Sequence, residues 1–357
     1  MEPDLVRGID NLLFGCARIE KGDRVLLISE EEGLGYCDAD AVEATADRCR
    51  DFGAEADILE LPFQRENVRI NDTISRQFSQ SDAIICFSRL FDQLRFADFP
   101  NCQKCIINYA ATVERLASPF GTGDQAAFEV LKHCLETLIA DSDEIVVTCP
   151  NGTRFQGPGL RPHHRFDETR VRRFPLLVFA PVLAAQYSGR VAMPKVLLGT
   201  GRNFYEPYCL YCDGILHAHF SNGRLTGFDG LAADVRRADD FLDFVAERYG
   251  HDRNFVHSWH AGIHPANTAS VSVYDNNILW SNSSFGNPRI LHFHACGREL
   301  PGDITWNVLD PTIAIDGMEV WKDGRLAIDR RPGAEAILDQ YPAVAESFAN
   351  PAMHVGL

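Results

Sequence analysis

Histidine is unevenly spread along this chain: six of its twelve copies fall between His251 and His294, and the last two form His292-Phe293-His294. The triplet follows the apolar run Arg289-Ile290-Leu291, which reads as a strand, and residues two apart on a strand face the same way. The two imidazoles then stand side by side as a chelate. A third can come from the segment around His257, His260 and His264, three histidines within eight positions. Three neutral nitrogen donors with open coordination positions make a catalytic metal site, able to activate water or to bind a substrate and dioxygen.

The elements that must carry these side chains divide the chain in two. Up to about residue 145, apolar runs alternate with helical ones. A helix over about 4–19 leads to the run 24–29, and a helix over 40–52 leads to 56–61. Further runs follow at 83–87 and 104–109. Uniformly apolar strands separated by helices indicate a parallel sheet covered on both faces, so domain 1–145 is expected to be an α/β sandwich. From 146 to 357 the character changes to short strands, glycines and aromatics, an expected β-rich α+β metal-site domain. Strands are predicted at 176–181, 196–198, 214–220, 225–228, 270–274, 290–295 and 313–320, with a helix over 238–249. Asn222-Gly223 and Asp323-Gly324 are hairpin signals.

Composition excludes several classes. A formal net charge of -16 repels a phosphate backbone, and no Lys or Arg run offsets it, so nucleic acid is not an expected partner. No stretch approaches the length of a membrane span, and Met1-Glu2-Pro3-Asp4 lacks a signal-peptide core, so a cytoplasmic location is expected. The eleven cysteines are irregularly spaced and are expected as reduced thiols, the Cys-x-x-Cys pairs Cys102/Cys105 and Cys209/Cys212 included. Glu30-Glu31-Glu32-Gly33-Leu34-Gly35 puts carboxylates where a dinucleotide pyrophosphate needs backbone amides, and neither a phosphate loop nor a Gly-x-Ser-x-Gly elbow occurs.

The second half carries a resemblance. Asn151-Gly152-Thr153-Arg154-Phe155, Phe220 to Gly230, Gly262-Ile263-His264-Pro265, His292-Phe293-His294 and Ala314-Ile315-Asp316-Gly317 come in an order that resembles the aminopeptidase T superfamily of metallopeptidases, nearest its 2,5-dihydroxypyridine 5,6-dioxygenase branch. The resemblance implies a homo-oligomer. In the peptidases, glutamates, histidines and a His-x-Asp pair hold two metals. In the dioxygenase branch a histidine replaces one glutamate and a single non-haem Fe(II) is held. The His-x-Asp pair lines up with His292 and His294, exchanging the carboxylate for an imidazole. The remaining ligand position counts back from His264-Pro265 to Ser258, and a one-residue bulge would bring in His257. Absence of the glutamate argues against aminopeptidase chemistry.

The resemblance therefore implies His257, His292 and His294 as metal ligands, with His260 the substitute for His257. Fe(II) is the expected metal, with Zn or Mn as alternatives. His260 is the first candidate general acid or base, because its unperturbed pKa suits proton transfer near neutrality. His264, Trp259, Arg172, Arg173 and His164 are candidate contacts for a small aromatic or N-heterocyclic substrate, and the aromatic residues near the ligands would supply either core or a flat slot. Ring-cleaving dioxygenation is the leading expectation. A Zn- or Mn-dependent hydrolase or deaminase, or a metal-free binding or assembly protein, are the alternatives. His217-Ala218-His219 has the same spacing as the chelate but is expected to be structural.

Overall fold

The computed structural model describes residues 1–31, 35–95, 104–159, 171–298, 302–327 and 334–357. In chain order the first strands are β1 (Arg24–Glu30), β2 (Glu55–Leu61), β3 (Ala83–Cys86), β4 (Lys104–Asn108), β5 (Ile145–Thr148), β6 (Arg154–Gly157) and β7 (Arg172–Phe174). Next come β8 (Val182–Leu183), β9 (Ser188–Met193), β10 (Val196–Leu198), β11 (Cys209–Tyr211), β12 (Leu216–Ser221) and β13 (Arg224–Asp229). The last are β14 (Val256–Ala261), β15 (Ile290–Ala295), β16 (Ile304–Leu309), β17 (Thr312–Ile315), β18 (Met318–Lys322) and β19 (Arg325–Leu326).

The chain forms two compact units, one of Met1–Glu129, Asp167–Leu176 and Tyr341–Val344, the other of Val130–Phe166, Leu177–Gln340 and Ala345–Leu357. The first holds a parallel sheet in the order β2-β1-β3-β4-β7. Val25 to Ile28, Ala83 to Cys86 and Cys105 to Ile107 are buried there, as apolar strands between helices require. The edge strand β2 departs from this, alternating between exposed and half-buried residues because only one neighbour covers it. β7 also belongs to this sheet, so the chain returns to the first unit after β5 and β6 have entered the second.

The second unit is a sandwich of two antiparallel-paired sheets. One has eight strands in the order β13-β12-β9-β6-β5-β17-β18-β19, the other six in the order β11-β10-β16-β15-β14-β8. Between them lies an aromatic core. The Phe155 ring centroid lies 4.9 Å from that of Phe293, 5.6 Å from Trp259, 5.9 Å from Phe220 and 6.1 Å from Tyr187. Tilted and edge-on rings at such distances gain electrostatic attraction beyond their burial. The architecture is thus α/β, a parallel-sheet unit and a β-rich unit.

Local chemistry sets the hairpins. Asn222-Gly223, Asp316-Gly317 and Asp323-Gly324 all have positive φ at both residues, the left-handed pair that a two-residue turn matching strand twist demands. Asp316-Gly317 splits the single strand expected over 313–320 into β17 and β18. Three other expectations are corrected. Residues 270–274 form turns, since their contacts run to the C-terminal segment, where Val273 N–H donates to the Gly356 carbonyl (2.9 Å). Residues 176–181 contribute only the bridge Val178–Gly262. The helix expected over 4–19 ends at Cys16, running as an α-helix over Pro3–Asp10 and widening into a π-helix over Asn11–Cys16.

Cys209 and Cys212 are free thiols, pushed up to about 12 by burial and so inert at neutral pH. Cys105 is disulfide-bonded, which corrects the expectation of reduced thiols throughout. Among the described residues no helix is long and apolar enough to cross a membrane. Because Phe155 bridges the two sheets through four ring contacts, Phe155→Ala should cost about 3–5 kcal/mol. Urea unfolding would show this as a lowered midpoint at unchanged slope; a loss under about 1 kcal/mol would place the core elsewhere.

Candidate metal centre

Three neighbouring strands of the six-stranded sheet build the site. In the β14–β15 pair His260 stands opposite His292 and Ser258 opposite His294; in the β15–β16 pair His292 stands opposite Asn307 and His294 opposite Thr305. Residues directly opposite share a face, so Ser258, His260, His292, His294, Thr305 and Asn307 form one polar patch. The residues alternating with them, Trp259, Phe293 and Trp306, point into the aromatic core. A one-residue slip of any of these strands would exchange imidazole for aromatic ring.

His260, His292 and His294 are 4–5 % exposed, and their ligating nitrogens all lie within 4.8 Å of one another. Nε2 of His260 is 2.6 Å from Nε2 of His292 and 3.2 Å from Nε2 of His294. Nδ1 of His260 lies 3.0 Å from the Phe179 carbonyl oxygen. A carbonyl only accepts, so Nδ1 carries the proton and Nε2 presents its lone pair toward His292 and His294. Two such nitrogens face each other across a gap that needs either a proton or a cation. Nitrogens roughly 2.1 Å from a common ion at tetrahedral angles would be roughly 3.4 Å apart, so the two pairs that His260 makes need to open by less than an ångström to admit a metal. The residues present fit the group. Phe285 stacks on His292 with ring centroids 4.4 Å apart and planes at 25°, limiting that ring's rotation.

The expected ligand set and the gathered one differ at one position. The strand register shifts between Val256 and Ser258, so the expected bulge is there, but it holds His257 out of the alternation, and His260 comes opposite His292. His257 instead places Nδ1 3.0 Å from Ser258 Oγ, and burial pushes its pKa down to about 4. His260, expected as the acid or base, is thereby in the cluster. His264 is fully buried in a turn, its N–H donating to the Gly286 carbonyl (2.9 Å) and its carbonyl accepting from Asn267 N–H (3.0 Å). Trp259 sits on the opposite face of the sheet, packed on Phe155 and Tyr187.

Arg172 and Arg173 lie on β7 of the first unit, where Arg172 Nη1 donates to the Cys16 carbonyl (2.9 Å). His164 lies outside the described residues. His217 and His219 both bind Asp229 across the β12–β13 pair, and the His219 hydrogen bond leads in holding that carboxyl below its usual range. This pair is thus tied to a surface carboxylate, as expected of structural histidines. Asn307 had no place in the sequence reading because β16 was not recognised. Its signal was present in the alternation of Thr305 and Asn307 with Ile304, Trp306 and Val308.

No family model matches the chain, and no curated protein matches it. Among solved structures it is similar to 2,5-dihydroxypyridine dioxygenase from Pseudomonas putida KT2440, with a TM-score of 0.60 and 13% identity over 91% of this chain and 96% of that one. At that identity the likeness shows a shared fold. It extends over both units.

Two outcomes follow from this geometry. His260→Ala, His292→Ala and His294→Ala should each lower divalent-metal affinity at least tenfold, while His257→Ala should leave it within about threefold, as read by equilibrium metal titration. Loss of binding in His257→Ala with retention in His260→Ala would reverse the assignment. The second concerns pH. A histidine depressed from 6.5 to about 4 stays neutral in the folded chain while the unfolded chain takes a proton. Its contribution is complete above pH 6.5 and is lost as pH falls toward 4, by about 3 kcal/mol. Metal-free His257→Gln should therefore lose less stability than wild type between pH 7 and 4.5 in urea melts; parallel curves would contradict this.

Proposed function

We propose that this chain is a mononuclear Fe(II) ring-cleaving dioxygenase for a small hydroxylated aromatic or N-heterocyclic substrate, with His260, His292 and His294 holding the metal. The observation that carries the proposal is the convergence of three buried imidazole nitrogens within 4.8 Å on one sheet face. The fold shared with a dioxygenase supports the choice of reaction class.

When bound, Fe(II) supplies redox chemistry toward dioxygen and coordination positions beyond the three imidazoles. The residues do the rest. The Phe179 carbonyl fixes the tautomer of His260. Phe285 and the deep burial of the three rings keep bulk water from the site. The ligand set is neutral, so the dicationic charge is left for the substrate to balance, which favours a phenolate or hydroxypyridinate over a neutral ring. Three imidazoles also suit zinc, for which the chemistry would be hydrolysis or deamination.

Oxygen dependence separates these readings. Apoprotein loaded anaerobically with Fe(II), Zn(II) or Mn(II) is assayed with 2,5-dihydroxypyridine and aminophenols in an oxygen electrode. The Fe(II) form should consume one dioxygen per ring opened, and the Zn(II) form should be inactive. Turnover without oxygen would replace the oxygenase reading with the hydrolytic one, and failure to take up stoichiometric metal would end both.

A further inference from the structure

The polar face of the site sheet holds one side chain that the metal centre leaves unused. Thr305 Oγ1 donates to the Gly199 carbonyl (3.1 Å), and Ser258 Oγ pairs with His257 Nδ1 (3.0 Å). Asn307 is 4 % exposed, and neither its amide nitrogen nor its amide oxygen has a hydrogen-bond partner among the described residues. A buried carboxamide left in this condition costs free energy, and the chain retains it directly opposite His292, where cross-strand side chains start about 5 Å apart. Its missing partners are therefore sought in what occupies the site.

We infer that Asn307 is a specificity residue that reads the lactam edge, adjacent N–H and C=O, of an N-heterocyclic substrate held at the three-histidine centre. A carboxamide offers one acceptor and one donor side by side in a plane, the complement of a cis-amide edge. Hydroquinone, whose hydroxyls stand on opposite sides of the ring, presents no adjacent donor and acceptor and cannot pair with both atoms side by side. Phe285, stacked on His292, sets an aromatic wall beside the same imidazole, suited to a flat ring. The inference rests on the proposed function and narrows its substrate class from hydroxylated rings in general to hydroxypyridines in their pyridone form. Asn307 touches substrate in this account without taking part in metal binding.

The test is anaerobic calorimetric binding to Fe(II)-loaded protein, with 2,5-dihydroxypyridine and its carbocyclic counterpart hydroquinone as probes. Wild type should prefer the pyridine at least tenfold. Asn307→Leu should weaken pyridine binding tenfold to a hundredfold, leave hydroquinone within about threefold and keep one metal per chain. Asn307→Asp, which preserves shape but removes the donor, should also lose the preference and stands in if the leucine variant fails to fold. Retained preference in the variants, or a wild type that does not discriminate, overturns the inference while leaving the metal reading intact. Loss of metal from Asn307→Leu and Asn307→Asp, to the extent seen in His260→Ala, also overturns it, because Asn307 would then be a ligand. Wild type that holds no metal sinks the parent reading at the loading step, before any probe is added, and this inference with it.

Discussion

Strand register is the constraint on which the rest depends. His260, His292 and Asn307 occupy consecutive rungs of β14, β15 and β16, and His294 sits two residues along from His292. A sheet allows only two orientations per residue, so this pairing decides at once which side chains meet in the site and which meet in the core. The bulge between Val256 and Ser258 belongs to the same constraint, because it resets the phase of β14 so that His260 faces the chelate.

The two faces of that sheet have opposite energetic characters. Trp259, Phe293 and Trp306 are fully buried against the aromatic residues of the other sheet and supply apolar burial of the kind that stabilises a sandwich. The other face buries three imidazoles and a carboxamide, which burial penalises unless partners are found. The aromatic layer thus anchors strands whose reverse sides carry groups that do not favour folding. That is the expected arrangement where function is built onto a rigid element, and it explains why a buried cluster of nitrogens can persist in a stable domain.

How far the sequence disclosed this depended on the range of the interaction that fixed each feature. The α/β class and β1, β3, β4, β10 and β15 were legible because apolar runs and turn residues act locally. So was the placement of His292 and His294 on one sheet face, since residues two apart on a strand point the same way. The third member was not, because His257, His260 and His264 compete for one place and the choice between them is made by pairing with β15, across an intervening segment of 28 residues. Asn307 was hidden for the same reason. Its strand alternates in plain view, but its meaning comes only from the strand beside it. Residues 172–174 were read with the second half by position, whereas pairing with β4 returns them to the first sheet.

The central claim is that three imidazoles share one metal ion. X-ray absorption at the iron edge of the Fe(II)-loaded protein measures this directly. The account predicts three nitrogen neighbours near 2.1 Å with the outer-shell scattering of intact imidazole rings. A first shell with fewer than three imidazoles, or one containing sulfur, would contradict it.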